Sequence, residues 1–183
     1  MSLSSKICFL SGCLYFLFPS KTIAQPRNIL KLNVLSPIVR SVSMSAEHLV
    51  SPTNSLQLGV FYTAYQSKST DFRGFGITPE YRLYLDKYES PAGFFVNSFF
   101  RYQNLKLSSS ELSDKTRLMT YGLGAGLGGQ WVFGHKIPFT LEIYGGSIYD
   151  IPFYQNKNQQ DTTDDDVFTG FNPRFGVNFG VAF

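Results

Sequence analysis

The sequence has little cysteine and little charge. Its two cysteines, Cys8 and Cys13, both lie near the start of the 183 residues, so the rest of the chain can form neither a disulfide nor a cysteine metal site. Charged residues make up 16% of the chain, against roughly 25% in a typical soluble domain. After residue 24, no apolar run has the about 20 residues that a membrane-spanning helix needs. These absences exclude a disulfide-stabilised secreted domain and a helical membrane domain.

Aromatic residues and glycine are abundant, with 18 Phe, 11 Tyr, 1 Trp and 16 Gly. Disordered chains have few aromatic residues and high net charge, and coiled coils are rich in Ala, Glu, Lys and Leu. Both classes are therefore excluded. The length suits one folded domain.

Residues 1–24 predict a secretory signal peptide, which leaves 25–183 as the mature domain. Lys6 supplies the positive start, an apolar stretch follows, and Thr22–Ala24 places small residues where signal peptidase cuts. Loss of Lys6 and Lys21 lowers the formal net charge from +3 to +1. Such a small charge gives no field to recruit nucleic acid.

A lipoprotein signal is the alternative for this first segment. Leu10-Ser11-Gly12-Cys13 resembles a lipoprotein box in which Cys13 is the lipidated residue. The apolar residues continue beyond Cys13, whereas lipoproteins usually become polar there.

Apolar and polar residues alternate with period two along most of the mature domain, which is typical of strands with two different faces. In the last segment, Phe175 and Val177 fall on one face, and Arg174 and Asn178 on the other. The predicted strands are 28–35, 40–49, 55–65, 72–85, 92–105, 117–132, 137–149 and 168–183.

The two faces indicate which side is inside. The apolar faces carry no charge, and the polar faces carry mostly small residues with a few charges of both signs. Small residues suit a narrow interior, and large apolar residues suit a surface in contact with lipid. We therefore predict an all-β, eight-stranded, antiparallel, up-and-down transmembrane β-barrel, apolar outside and polar inside. It must be closed, because an open edge in hydrocarbon leaves backbone groups unpaired. A soluble, lipocalin-like barrel is the alternative.

Connection lengths favour an orientation with both termini in the periplasm. Three connections are short and contain turn residues, as periplasmic turns do, and three are longer and polar, as external loops are. They are 50–54, 86–91 and 133–136 on the first side, and 66–71, 106–116 and 150–167 on the second.

The predicted interior contains nearly balanced charges, Lys31 included. An eight-stranded barrel has an interior that side chains can fill, so we expect a structural network of ion pairs and hydrogen bonds. The residues assigned to this interior polar network are Glu47, Glu80, Arg82, Arg101, Glu142 and Arg174.

The run Gly124–Gly129 matches the glycine pattern of dinucleotide-binding loops. That motif requires a strand, a loop and a helix in succession, whereas these glycines recur every second residue within one predicted strand. We expect them to make room for bulky neighbours such as Phe99 or Tyr144.

Histidine is scarce, and catalysis is not expected. A hydrolase needs a nucleophile, a base and an orienting group in contact, and Ser43, Glu47 and His48 are candidates close in sequence. Glu47 and His48, however, point to opposite faces of a strand, and His135 lies in a turn. The alternative is a lipid A-modifying enzyme with a histidine base at the barrel rim.

Three further features of the sequence predict local structure. The acidic run Asp161–Asp166 is expected to be a solvated loop, with a cation or lipopolysaccharide-bridging site as the alternative. Pro79 removes a ladder hydrogen bond in mid-strand, so we expect a bulge or kink there. Aromatic residues near strand ends predict interfacial girdles; they include Tyr62, Tyr65, Tyr84, Tyr102, Trp131, Phe133 and Tyr149.

The chain resembles known outer-membrane barrels. Phe183 ends an alternating strand, which resembles the terminal signal that the barrel-assembly machinery recognises. The segments Lys31–Asn33, Gly76–Arg82 and Gly122–Gly128, with Gln130–Gly134 and Pro173–Gly176, are similar to small barrels of the OmpA-like and OmpX-like superfamily. More narrowly, they resemble a Bacteroidetes family named domain of unknown function 3575.

This resemblance implies export to the outer membrane but brings no established activity. We expect a non-enzymatic, monomeric scaffold that displays surface loops or supports the envelope. Its expected partners are outer-membrane lipids, lipopolysaccharide and the assembly machinery, with no cofactor and no metal. The alternatives are a narrow pore or ligand-binding transport barrel, and a lipid A-modifying enzyme.

Overall fold

The computed structural model describes residues 26–66, 70–85, 91–109, 115–134, 137–155 and 170–183. The predicted signal segment with Cys13, the acidic run Asp161–Asp166 and His135 lie outside these ranges.

Eight antiparallel strands form one closed barrel in which each strand pairs with the next and the last pairs with the first. This confirms the predicted strand number and the up-and-down order. The strands are β1 (Asn28–Asn33), β2 (Ser41–Leu49), β3 (Asn54–Gln66), β4 (Thr70–Tyr84), β5 (Gly93–Ser109), β6 (Lys115–Phe133), β7 (Phe139–Gln155) and β8 (Gly170–Ala182).

Helical structure within the described ranges is confined to one turn of 3-10 helix, Ser36–Val39, between β1 and β2. Arg40 ends this turn in the left-handed conformation, with φ of 54°. Within all the described ranges, no helical segment has the length and apolar character needed to span a membrane.

The first and last strands meet where β1 and β8 close the barrel. The backbone N–H of Asn28 donates to the Phe183 carbonyl at 3.1 Å, and the Phe183 N–H donates to the Asn28 carbonyl at 2.8 Å. Ile29 and Ala182 are buried beside Leu49 in a small apolar cluster at this end. The terminal residue is therefore part of the seam.

Burial alternates along the strands and separates two kinds of side chain. Inward positions include charged residues with almost no exposure, such as Arg82 at 0% and Glu142 at 0%. Outward positions include large apolar residues such as Leu123 at 69% and Phe175 at 73% exposure. The centre of this fold is therefore polar.

The strands at the loop end are longer than the alternation predicts. Pairing of β5 with β6 continues through Lys106↔Arg117, and pairing of β6 with β7 continues through Thr120↔Pro152. The predicted loop beginning at Asp150 is therefore wrong in its first residues. Asp150 is an inward-facing residue of β7 with 2% exposure.

The bulge predicted at Pro79 is absent. The register between β4 and β5 is unchanged from Ile77↔Tyr102 to Glu80↔Phe99, so no residue is inserted, and Leu58↔Pro79 keeps its place in the ladder to β3. The ladder to β5 omits only Thr78 and Pro79. The strand accommodates the missing proline N–H by a local interruption of pairing.

Candidate functional site

Arg82 lies at the centre of a buried set of charges that also contains Lys31, Glu47, Glu80 and Glu142, here called the ion-pair cluster. Arg82 donates through Nε to Glu80 Oε1 at 2.7 Å and through Nη1 to Glu142 Oε2 at 2.6 Å. Its Nη2 donates to Glu142 Oε1 at 3.1 Å, which makes that pair bidentate. Lys31 Nζ forms ion pairs with Glu47 and Glu142. All five side chains have no exposed surface.

Neutral side chains complete the surroundings of Glu47 and Lys31. Ser55 Oγ and Tyr84 Oη donate to Glu47 Oε1 at 2.5 and 2.6 Å. Gln130 accepts from Lys31 Nζ at 2.5 Å and donates to Tyr84 Oη at 3.1 Å. Tyr84 was predicted to belong to an aromatic girdle, and this is wrong: the ring points inward and the residue is 2% exposed. Its hydroxyl finds a carboxylate there, as a buried tyrosine requires.

Asparagines satisfy the other two carboxylates of the ion-pair cluster. Asn97 Nδ2 donates to Glu80 Oε1 at 2.6 Å, and Asn178 Nδ2 donates to Glu142 Oε1 at 2.8 Å. Each buried charge is thus both paired and hydrogen-bonded, which is the condition under which burying it is tolerable.

A second set of charges lies nearer the loop end and comprises Arg101, Asp150 and Arg174, here called the outer tier. Arg101 Nη2 donates to Asp150 Oδ2 at 2.5 Å, and Asn172 Nδ2 donates to the same oxygen at 3.1 Å. Arg174 Nη1 donates to Glu80 Oε2 at 2.9 Å. Glu80 therefore joins the outer tier to the ion-pair cluster.

Of the six residues named from the sequence, the structure joins Glu47, Glu80, Arg82, Glu142 and Arg174 through direct ion pairs, whereas Arg101 pairs with Asp150. Sequence reasoning missed Asp150, which lay in a predicted loop, and Tyr84. Alternation along the strand could have identified both as inward-facing, since each lies an even number of residues from an inward charge on its own strand.

Aromatic rings and glycines fill much of the remaining interior. The Arg174 guanidinium lies 4.1 Å from the centre of the Phe99 ring and 4.9 Å from that of Tyr144. A Cβ at Gly124 would collide with the Phe99 ring, and one at Gly176 would lie 2.5 Å from Tyr144 Oη. The glycines of β6 thus make room for bulky neighbours, as predicted, and they lie inside a strand that no helix follows.

The residues considered for catalysis do not converge. Glu47 points inward and is held by the ion-pair cluster, whereas His48 is exposed on the outward face, with Nδ1 2.8 Å from Asn28 Oδ1. Ser43 points inward, and His48 therefore lies on the other side of the strand from both. Among the described residues, no group of three His, Cys, Asp or Glu side chains is arranged to hold a metal ion.

The aromatic residues predicted for girdles are divided in the structure. Tyr62, Trp131, Phe133 and Tyr149 are outward and exposed, and Tyr102 is half-buried. The Tyr65 side chain lies outside the described part of the chain.

We predict that Arg82→Met destabilises the barrel strongly. The substitution keeps much of the side-chain volume but leaves the three glutamates of the ion-pair cluster short of one cation. Removing one member of a buried ion pair typically costs about 3–5 kcal/mol. Urea unfolding in phospholipid vesicles, followed by Trp131 fluorescence, measures the change in unfolding free energy.

Arg27→Met is the matched control, because Arg27 is exposed. Surface substitutions of this kind usually change the free energy of unfolding by no more than about 0.5 kcal/mol. Equal urea midpoints for the two variants would contradict a stabilising role for the ion-pair cluster.

Comparison with known proteins places this barrel in a family. The family model described as "Protein of unknown function (DUF3575)" matches residues 10–170. No curated protein and no solved structure matches the chain. The family match covers well over half of the sequence, and the chain therefore belongs to the DUF3575 family.

Proposed function

We propose that the protein is a non-enzymatic, integral outer-membrane β-barrel whose filled interior makes it a scaffold for surface loops or for the envelope. One observation carries the proposal: the charged residues at the centre of the barrel are buried, while large apolar residues are exposed around its outer wall.

The outer wall has the character of a lipid-facing surface. Exposed apolar residues occur on all eight strands; examples are Leu32, Met44, Leu58, Phe75, Phe94, Leu127, Phe153 and Phe179. Soluble monomers rarely expose contiguous apolar patches larger than a few hundred Å². Among the strand residues whose side chains the structure describes, the outward charges, Arg73 and Lys106, lie towards the loop end of β4 and β5.

The backbone meets the other requirement of a bilayer. A strand can cross hydrocarbon only if its N–H and C=O groups are paired on both sides. Pairing of β1 with both β2 and β8 closes the sheet and removes its edges. Phe183 contributes its own backbone groups to this seam.

The interior supports a scaffold more than a channel. Four cations and four carboxylates face one another across the described interior, so their charges balance; they are Lys31, Arg82, Arg101 and Arg174 with Glu47, Glu80, Glu142 and Asp150. Aromatic rings such as Phe95 and Phe99 occupy space beside the arginines. Ion pairs that cross the lumen oppose the passage of ions.

Cell fractionation tests the location directly. We expect the full chain, expressed in a Gram-negative host, to be recovered in the outer-membrane fraction, and its unboiled form to migrate differently from its boiled form on a denaturing gel. The shift arises because a closed barrel resists detergent until heated. Recovery in the soluble periplasmic fraction would contradict the proposal.

A charge on the outer wall tests contact with lipid. Val177 lies near the middle of β8 and faces outward. Arg or Lys at the bilayer midplane costs about 2–4 kcal/mol, so Val177→Arg is expected to lower the free energy of unfolding in vesicles by that amount. Urea titration of the refolded protein measures it.

A control substitution makes this test specific. Val177→Ala removes the same branched side chain without adding charge, and it should be milder than Val177→Arg. A barrel that tolerates Val177→Arg as well as Val177→Ala would have water against its outer wall.

Conductance measurements test the filled interior. We expect the purified protein in planar lipid bilayers to give no reproducible single-channel steps, because the ion-pair cluster and the outer tier cross the lumen. A reproducible conductance that persists after repurification would favour a pore.

A further inference from the structure

The interior contains a cavity of about 290 Å³ beside the outer tier, here called the outer cavity. It lies next to the connection between β1 and β2, and Leu35 and Ser36 of that connection contribute to its wall. Its principal polar side chains are those of Asn33, Gln57, Arg101, Tyr144, Arg174 and Asn178.

Small inward residues of β2 and β3 leave room for the outer cavity. Ser43, Ser45 and Gly59 line it, together with the larger Phe61, whose ring lies against Gly76 of β4. A Cβ at Gly59 would lie 3.6 Å from the Thr78 carbonyl oxygen and 3.7 Å from Thr78 Cβ, which are ordinary contacts. This differs from Gly124, where an aromatic ring fills the corresponding space.

The charge of the cavity wall favours an anion. Among the described residues that line it, Arg101 and Arg174 carry charge and none is Asp or Glu. Each guanidinium has five N–H donors, and its ion pair with Asp150 or Glu80 uses one terminal nitrogen. Arg101 Nε is buried and has no hydrogen-bond partner in the described structure. Arginine is well suited to carboxylates and phosphates because its N–H groups are planar and paired.

A buried acceptor on the opposite wall indicates a second feature of the ligand. Gln57 is 4% exposed, and its Oε1 has no hydrogen-bond partner among the described residues. An unpaired buried acceptor is costly, and a hydroxyl group entering the cavity would supply the missing donor. Tyr144 on β7 and Asn178 on β8 add polar groups elsewhere in the cavity wall.

We propose that the outer cavity binds a small, soluble, hydroxylated oxyanion, whose carboxylate or phosphate contacts Arg101 and Arg174 and whose hydroxyl donates to Gln57. The side chains assigned to the ligand, Arg101, Arg174 and Gln57, all face inward, so the proposal does not depend on the medium around the outer wall.

Isothermal titration calorimetry of the refolded full chain, in a detergent without anionic or sugar headgroups, tests the proposal. The probes are glucuronate and glycerol 3-phosphate, with glucose and glycerol as matched neutral compounds. We expect saturable binding of at least one anion, at least tenfold tighter than its neutral counterpart. The absence of saturable heat with both anions, or an affinity for each anion equal to that for its neutral counterpart, would overturn the proposal.

Gly59→Leu blocks the outer cavity without changing any charge, because the added side chain extends into the free space. We expect it to weaken anion binding at least tenfold. Gly145→Leu is the control, since Gly145 faces outward and a Cβ there meets nothing within 4 Å; its binding should equal that of the wild type. Unchanged anion affinity in Gly59→Leu, with the heat-dependent gel shift intact, would place binding elsewhere and contradict the proposal.

Discussion

Compensation of the buried Arg82 charge is the constraint on which the interior depends. A guanidinium removed from water must be surrounded by acceptors, and Arg82 meets them on two strands besides its own: Glu47 on β2 and Glu142 on β7. The pair with Glu142 spans the lumen, since β4 and β7 are not neighbours in the sheet. Backbone hydrogen bonds join each strand to the next, whereas the ion-pair cluster joins strands across the barrel. The ion-pair cluster therefore opposes both flattening of the barrel and shifts in the register of its strands.

The distribution of side-chain volume explains why side chains fill one part of the interior and leave a cavity in another. On β6, inward glycines alternate along the strand and face rings such as Phe95 and Phe99. On β2 and β3, Ser43, Ser45 and Gly59 are also small, but the atoms nearest to a Cβ at Gly59 belong to Thr78 and Ser45 and not to a ring. Small inward residues thus have two different consequences in this barrel. On β6 they make room for neighbouring rings, and on β2 and β3 they leave a cavity.

Local alternation was sufficient to predict the closed eight-stranded barrel, because face and strand type repeat every two residues. It also placed the charged positions on one face of their strands. It failed where a strand continued past its clear pattern: a loop was predicted from Asp150 onward, although Asp150 to Gln155 pair with β6. It also failed at Tyr84, where an aromatic residue near a strand end was assigned to an interface. The partner of each charge depends on strand register around the barrel, which no short segment contains.

Glu80 connects the two parts of the interior. One carboxylate oxygen accepts from Arg82 and Asn97, and the other accepts from Arg174 beside the outer cavity. An anion that contacts Arg174 would share that guanidinium with Glu80, so occupancy of the cavity and the arrangement of the ion-pair cluster are thermodynamically linked. Such a link is reciprocal: whatever strengthens the contact between Glu80 and Arg174 weakens the hold on an anion. The ion pairs in the barrel interior thus also set how strongly the outer cavity can bind an anion.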